Sequence, residues 1–144
     1  VPPGARDDAP ALLFFAFRAL TAEPDRILAE RRLGRVHHRI LYFVARSPGL
    51  RMGDLLATLG VSKQAMHGPL RDLVRAGFVV SAAAAGNRRA KELRLTAEGE
   101  RLERRLTGAQ RRRFARAFRG AGAGAEQGWR EIMARLAAPR ALAR

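Results

Sequence analysis

Residues 52–95 read MGDLLATLGVSKQAMHGPLRDLVRAGFVVSAAAAGNRRAKELRL. The first part, about residues 52–59, predicts a short helix that stops at Gly60, because glycine is common just past a helix C-terminus. Ser62 is a typical N-cap, and we expect the helix that it begins to run to about Arg75, before Gly77. A short helix, a tight turn and a capped second helix together predict a helix-turn-helix.

A β-hairpin is predicted directly after this motif. Phe78, Val79 and Val80 are β-rich, and Gly86-Asn87 is a strong signal for a tight turn. We expect the two strands at about residues 79–84 and 90–95. A hairpin in this position is the wing of a winged helix.

The sequence on either side predicts helices. We expect them at about residues 11–33, 36–46, 97–119 and 126–138. Pro24 predicts a kink or a second helix start, and Thr96 is a good N-cap. The predicted fold class is mostly α (α+β), a winged helix-turn-helix with a helical dimerisation region, in the order α-α-α-α-β-β-α-α.

This order suggests three parts of one intertwined domain. Residues 1–34 are the predicted N-terminal dimerisation helix region. Residues 35–96 are the winged helix-turn-helix DNA-binding lobe, and residues 97–144 are the C-terminal dimerisation helices.

The charge is strongly positive and unevenly spread. The 144 residues carry a formal net charge of +15, with 28 lysines and arginines. Residues 1–34 are neutral, whereas residues 35–96 carry +8 and residues 97–144 carry +7. A field of this sign attracts polyanions, of which DNA is the commonest in a cytoplasm. A compositional bias toward arginine alone would not leave the N-terminal third neutral.

Composition also disfavours several classes of protein. The chain has no cysteine, which excludes disulfides and thiolate metal sites. No apolar run reaches the roughly 18 residues that span a bilayer, and residues 1–10 lack the pattern of a secretion signal, so we expect a cytoplasmic protein without membrane contact. There is no nucleophile–base–acid set and no P-loop, so we expect no enzymatic activity and no cofactor.

The helix that Ser62 begins has two faces. Met66, Leu70, Leu73 and Val74 share one side at helical spacing and are predicted core residues. The opposite side carries the residues that we expect to bind DNA, namely Ser62, Lys63, Gln64, His67, Gly68 and Arg71. Glutamine can pair with adenine, and arginine or lysine with guanine or phosphate. An ordinary solvated helix face is the alternative.

The tip of the predicted wing is basic as well. We expect Asn87, Arg88, Arg89 and Lys91 to contact DNA, because arginine on a thin loop suits the narrow, electronegative minor groove. A solvated turn is the alternative.

The outer helices carry more apolar surface than one small lobe can cover. The predicted dimerisation residues are Phe14, Phe15, Phe17, Leu20, Trp129, Ile132, Met133 and Leu136. We expect an obligate homodimer that buries well above about 2,000 Å². A membrane-surface helix is the alternative for residues 14–17, but no basic face accompanies them.

These stretches resemble the MarR family of bacterial regulators. The resemblance covers about residues 33–105 and is carried by ILYFV (40–44), LLATLGVSKQA (55–65), LRDLVRAGFV (70–79), NRR (87–89) and LRLTAEG (93–99). It implies a two-fold dimer, with the first, fifth and sixth helices intertwined and two winged lobes on one palindromic site. It also implies repression relieved by a small ligand, often an aromatic anion, bound between the dimer helices and the lobe.

His37 and Tyr42 are the candidates for lining such an effector pocket, with a structural role as the alternative for both. A zinc site is disfavoured, because His37 and His38 point about 100° apart on a helix and few acids lie nearby. We therefore predict no metal.

Three features depart from the family pattern. Asn87 stands where the family usually has aspartate, and Gly34 replaces the usual Ser/Thr cap of the second helix. Gly68-Pro69 falls inside the predicted recognition helix, where Pro69 cannot donate to the carbonyl of Ala65. We expect that helix to bend near residues 65–69.

The sequence thus predicts a ligand-responsive repressor that binds a palindromic operator of about 16–20 base pairs as a homodimer. The alternative is a sequence-neutral, nucleoid-type DNA-binding protein that uses the same lobes together with the arginines of residues 97–144.

Overall fold

The computed structural model describes residues 6–84 and 86–138, excluding the side chains of Ala84, Asn87 and Arg88. The described helices are α1 (Ala9–Ala29), α2 (Arg35–Arg46), α3 (Met52–Leu59), α4 (Lys63–Arg75), α5 (Ala97–Ala121) and α6 (Ala125–Ala137). The described strands are β1 (Leu50–Arg51), β2 (Val79–Ala84) and β3 (Asn87–Leu95). The predicted fold class is confirmed, and most predicted bounds move by only one or two residues.

One strand was not predicted. β1 pairs antiparallel with β3, with Leu50 opposite Leu93 and Arg51 opposite Glu92, and the sheet order is β1-β3-β2. The predicted order of elements therefore lacked a strand before α3. Two residues are too few to show the alternation of a strand, and β1 exists because β3 lies beside it.

The chain forms two compact units, Val1–Gln110 and Arg111–Arg144. The first contains the helix-turn-helix, the sheet and the first part of α5. Its core residues are Ile27, Leu28, Ile40, Leu41, Val44, Leu55, Met66, Leu70, Leu73, Val79, Leu93, Leu102 and Leu106. Five of the six described helices, α1 to α5, therefore share one core with the sheet. This core fixes the position of α4. The three-part division at residues 34 and 96 stays a prediction.

One predicted core residue is wrong. Val74 is 41% exposed, whereas Leu73 is fully buried. On a helix Val74 lies about 80° around the axis from Met66, at the edge of the apolar side. It therefore lies at the surface between α4 and the wing.

Thr96 caps α5 as predicted. Its Oγ1 accepts a hydrogen bond from the Gly99 N–H at 3.0 Å and donates to the Gly77 carbonyl at 2.5 Å. A Cβ at Gly99 would lie 2.0 Å from the Phe78 carbonyl oxygen, so only glycine lets α5 begin this close to the chain that enters β2. The cap and the glycine together hold α5 against the end of α4.

Two prolines lie inside helices. α1 is continuous across Pro24, so the predicted second start is wrong, and α1 ends at Ala29 instead of residue 33. α4 is continuous from Lys63 to Arg75 across Pro69. The kink at Pro24 and the bend of α4 stay predictions.

The second unit consists of the end of α5 and helix α6. The rings of Phe114, Phe118 and Trp129 lie with centroids 5.1–5.6 Å apart. None of the described α6 residues is buried, and Ile132 and Leu136 are exposed. None of the helices in the described part of the chain is long and apolar enough to cross a membrane.

Candidate nucleic-acid interface

Helix α4 is fixed by its cap and by its buried side. Ser62 Oγ accepts a hydrogen bond from the Ala65 N–H at 3.1 Å, while Met66, Leu70 and Leu73 are buried beneath the helix. The predicted DNA-contact residues of this helix that are exposed are Ser62, Lys63, Gln64, His67 and Arg71. Gly68 is half-buried, and a Cβ placed on it would meet no other atom within 4 Å.

A groove of about 820 Å³ lies between α3, α4 and the hairpin. Lys63, His67 and Arg71 line it from α4, and Arg89 and Lys91 line it from β3. The structure therefore brings part of the predicted recognition helix and part of the predicted wing to one surface. The side chains of Asn87 and Arg88 lie outside the described part of the chain, although both residues belong to β3.

The lining of this groove is cationic around an apolar floor. Arg51 and Arg75 add to the cations already named, and the carboxylate among the lining residues is that of Asp54. The floor is formed by Met52, Leu56, Met66, Leu70 and Val74. A concave surface with six cations and one acid gives a strong positive potential, which attracts phosphates.

Arg51 is a groove residue that sequence reasoning missed. It lies in β1, opposite Glu92 of β3, and this pairing places it beside the wing. No sequence signal marks a two-residue strand, so the position of Arg51 in the same groove as Arg89 and Lys91 follows only from the sheet.

His37 supplies the cap that Gly34 lacks. Its Nδ1 accepts a hydrogen bond from the Gly34 N–H at 2.9 Å, at the start of α2. Its Nε2 lies 3.0 Å from Oδ2 of Asp72 on α4. The buried imidazole therefore joins the first turn of α2 to helix α4.

A smaller hollow of about 130 Å³ lies between α1, α2 and Gln110. Its described lining includes Tyr42 and His38 but not His37. Phe17 and Phe43 add aromatic surface, and Asp25, Arg35 and Arg39 add charge. Arg35 is held by two hydrogen bonds of 2.9 and 3.1 Å to Asp25, with its guanidinium 5.4 Å from the Phe17 ring centroid.

A chain of polar side chains, buried except for Arg46, joins α2 to α5 beside this hollow. Arg46 donates to Glu103 Oε1 at 2.7 Å, and Thr107 Oγ1 donates to the same oxygen at 2.8 Å. His38 Nε2 lies 3.3 Å from Thr107 Oγ1, and because that hydroxyl already donates to Glu103, the imidazole is the donor. Burial lowers the pKa of His38 from its usual value, the nearby Glu103 charge opposing this shift.

The predicted dimerisation residues are partly exposed. The most exposed of them are Phe14, Phe15, Phe17, Ile132 and Leu136, and Leu20, Trp129 and Met133 are half-buried. Their place in a dimer interface stays a prediction. Within residues 6–84 and 86–138, no three His, Asp or Glu side chains come together as a group that could hold a metal ion.

Comparison with known proteins gives concordant results. A sequence profile described as MarR family matches residues 33–90. The HTH-type transcriptional regulator PetP of Rhodobacter capsulatus is 42% identical over 127 residues, which cover 88% of this chain and 76% of PetP.

Solved structures agree with the fold. The crystal structure of NadR in complex with 4-hydroxyphenylacetate is 26% identical, with a TM-score of 0.74 over 89% of this chain and 91% of NadR. The crystal structure of MarR is 22% identical, with a TM-score of 0.67 over 92% of this chain and 95% of MarR. A MarR-family regulator from Rhodococcus sp. RHA1 is 22% identical, with a TM-score of 0.71 over 96% of this chain and 98% of that regulator.

Proposed function

Because this chain belongs to the MarR family of DNA-binding transcriptional regulators, we propose that it is a ligand-responsive repressor that binds a palindromic operator as a homodimer. The observation that carries this proposal is the cationic groove, in which side chains of α4 and β3 line one surface. DNA binding places its action in the cytoplasm, and the regulator needs no catalytic chemistry of its own.

The groove suits a duplex whose backbone passes between helix and wing. Lys63, Gln64, His67 and Arg71 lie on the exposed side of α4, where they would read base edges in the major groove. Arg89 and Lys91 at the hairpin would hold the phosphates or enter the adjacent minor groove. Arg51 would add a phosphate contact from the edge of the sheet.

Each unit has apolar surface that its own chain leaves uncovered. In the first unit Phe14 and Phe15 of α1 are 60% and 58% exposed, and in the second unit Ile132 and Leu136 of α6 are 57% and 68% exposed. Several exposed large apolar side chains on one helix indicate an interaction surface. We assign both patches to a second copy of the chain, with residues 1–34 and 97–144 as the dimerisation regions.

The small hollow is the proposed effector site. Its volume of about 130 Å³ is near that of a cavity of about 150 Å³ that takes a single benzene ring. Aromatic walls from Phe17, Tyr42 and Phe43 suit a ring, and Arg39 suits an anionic group, whereas Arg35 is already paired with Asp25. NadR, a relative of the same family, was crystallised with 4-hydroxyphenylacetate, an aromatic carboxylate of this description.

A second candidate function is sequence-neutral DNA coating. The observation that favours it is the run of exposed arginines in the second unit, namely Arg111, Arg112, Arg113, Arg116 and Arg119. These side chains could contact phosphates without reading bases.

Selection from a random DNA pool followed by competition binding distinguishes the two functions. At about 0.15 M salt the repressor should prefer its selected site over random DNA by about 10³-fold or more. Affinities that are equal within a few fold would exclude the repressor and leave the sequence-neutral function.

A further inference from the structure

The recognition helix is tied to α2 through one buried imidazole. His37 is 8% exposed, and its two ring nitrogens contact the Gly34 N–H and the Asp72 carboxylate. We propose that His37 is a positioning residue, which holds α4 through Asp72 in the orientation that reads the operator. This inference rests on the proposed function, because it names what sets the geometry of the same DNA-reading helix.

The hydrogen bonds of the ring fix its tautomer. Nδ1 accepts from the Gly34 N–H and therefore carries no proton. The proton lies on Nε2, which donates to Oδ2 of Asp72 at 3.0 Å. One neutral imidazole thus completes the start of α2 and restrains α4, since a rigid ring cannot tilt without breaking one of its two bonds.

The bond to His37 explains why an acidic residue lies on a helix that would bind DNA. Asp72 is the acidic residue of the sequence between Lys63 and Arg75, and a carboxylate there repels the phosphates that Arg71 and Arg75 would attract. It does not line the cationic groove. If Asp72 made no positioning contact, removing its charge would strengthen binding to every DNA.

Helix α4 also has a local need for such a restraint. Pro69 cannot donate to the carbonyl of Ala65, so one internal hydrogen bond of the helix is missing. The part of α4 after Pro69 therefore depends more on outside contacts than a regular helix does. Leu70 and Leu73 supply apolar contacts, and Asp72 supplies the polar one.

A matched pair of variants tests the inference. Asp72→Asn and Asp72→Ala remove the same charge, but only asparagine keeps an oxygen that accepts from His37 Nε2. We expect Asp72→Asn to bind the selected operator at least as tightly as the wild type. Asp72→Ala should bind it about 3- to 10-fold more weakly than Asp72→Asn, the range for one lost side-chain hydrogen bond, with equal affinities for random DNA. Alanine is the better helix former, so a weaker helix would not explain the loss.

The same two Asp72 substitutions in a His37→Ala protein complete a double-mutant cycle. There the two Asp72 variants should bind the operator alike, because the donor is gone from both and the lost cap at Gly34 is common to both. Thermal unfolding of each variant checks that the lobe is folded. If Asp72→Ala binds the operator as tightly as Asp72→Asn in the His37 protein, the inference is wrong while the proposed function stands. A wild-type protein without operator preference overturns both.

Discussion

The two halves of helix α1 are both rich in apolar residues, yet only one is covered by its own chain. In the second half Thr21, Pro24, Ile27 and Leu28 are buried. In the first half the exposed fractions are 67% for Leu12, 53% for Leu13, 60% for Phe14, 58% for Phe15 and 44% for Phe17. Both halves belong to the same compact unit, so the difference lies in what each half faces.

An apolar helix pattern predicts that side chains are buried, but it does not say whether the same chain or another molecule covers them. Leu28 belongs to the core that also contains residues of α4, so its burial stabilises the fold of a single chain. The Phe14 and Phe15 rings contact each other edge to face, with centroids 5.4 Å apart. Apolar side chains in such a cluster are stabilised only when a further surface covers them, and a second copy is the occupant that we propose.

The largest effect is expected when charges are placed on the uncovered half. Phe14→Asp with Phe15→Asp should weaken the dimer by about 1,000-fold or more, because two buried aromatic anchors are worth about 2 kcal/mol each. Sedimentation at micromolar concentration should then give a monomer near 15.8 kDa, whereas the wild type gives twice that mass. A wild type that sediments as a folded monomer would refute the dimer.

Leu28→Ala is the control from the covered half. It should lower the free energy of unfolding by about 2–5 kcal/mol, as other large-to-small core substitutions do, while the protein that remains folded stays dimeric. If Leu28→Ala weakened the dimer as much as the Phe14→Asp, Phe15→Asp substitutions, the first half of α1 would not be the specific dimer contact.

The wing carries the third kind of surface, a cationic one, and in the proposed function it faces DNA. Arg88→Ala with Arg89→Ala should weaken operator and random DNA together by about tenfold at 0.15 M salt, because phosphate contacts are lost. The slope of log K against log salt should become less steep by about 1–2. The melting temperature should stay nearly unchanged, since surface changes cost little.

Arg18→Ala with Arg26→Ala is the matched control for the wing. It removes the same charge from α1, and neither residue lines the groove. DNA affinity and salt slope should therefore change less than in the wing variant. An unchanged salt slope in the Arg88/Arg89 variant would mean that the wing does not contact DNA.

Much of the fold could be predicted because its signals are local. Ser62 and Thr96 were identified as helix caps from residue type and spacing, and both side chains make the expected bonds. Gly60 ends α3 in the left-handed conformation that its position suggested. The winged-helix architecture follows from the order of such signals along the chain.

The parts that could not be predicted depend on residues far apart in sequence. β1 exists because β3 lies next to it, and Arg51 enters the groove only through that pairing. His37 meets Asp72 across 35 positions of sequence. Neither contact has a local pattern, so the sequence left a ligand pocket and a structural role open for His37, and only the structure shows its bond to α4.

A footprint on the selected operator tests most directly whether two copies of this chain read DNA together. Hydroxyl-radical protection at about 0.15 M salt should show two equivalent regions centred one helical turn apart, about 10–10.5 base pairs, because two recognition helices enter successive major grooves. The Phe14→Asp, Phe15→Asp protein should lose this paired pattern. A single protected region, or uniform protection along any DNA, would show that two copies do not read the operator together.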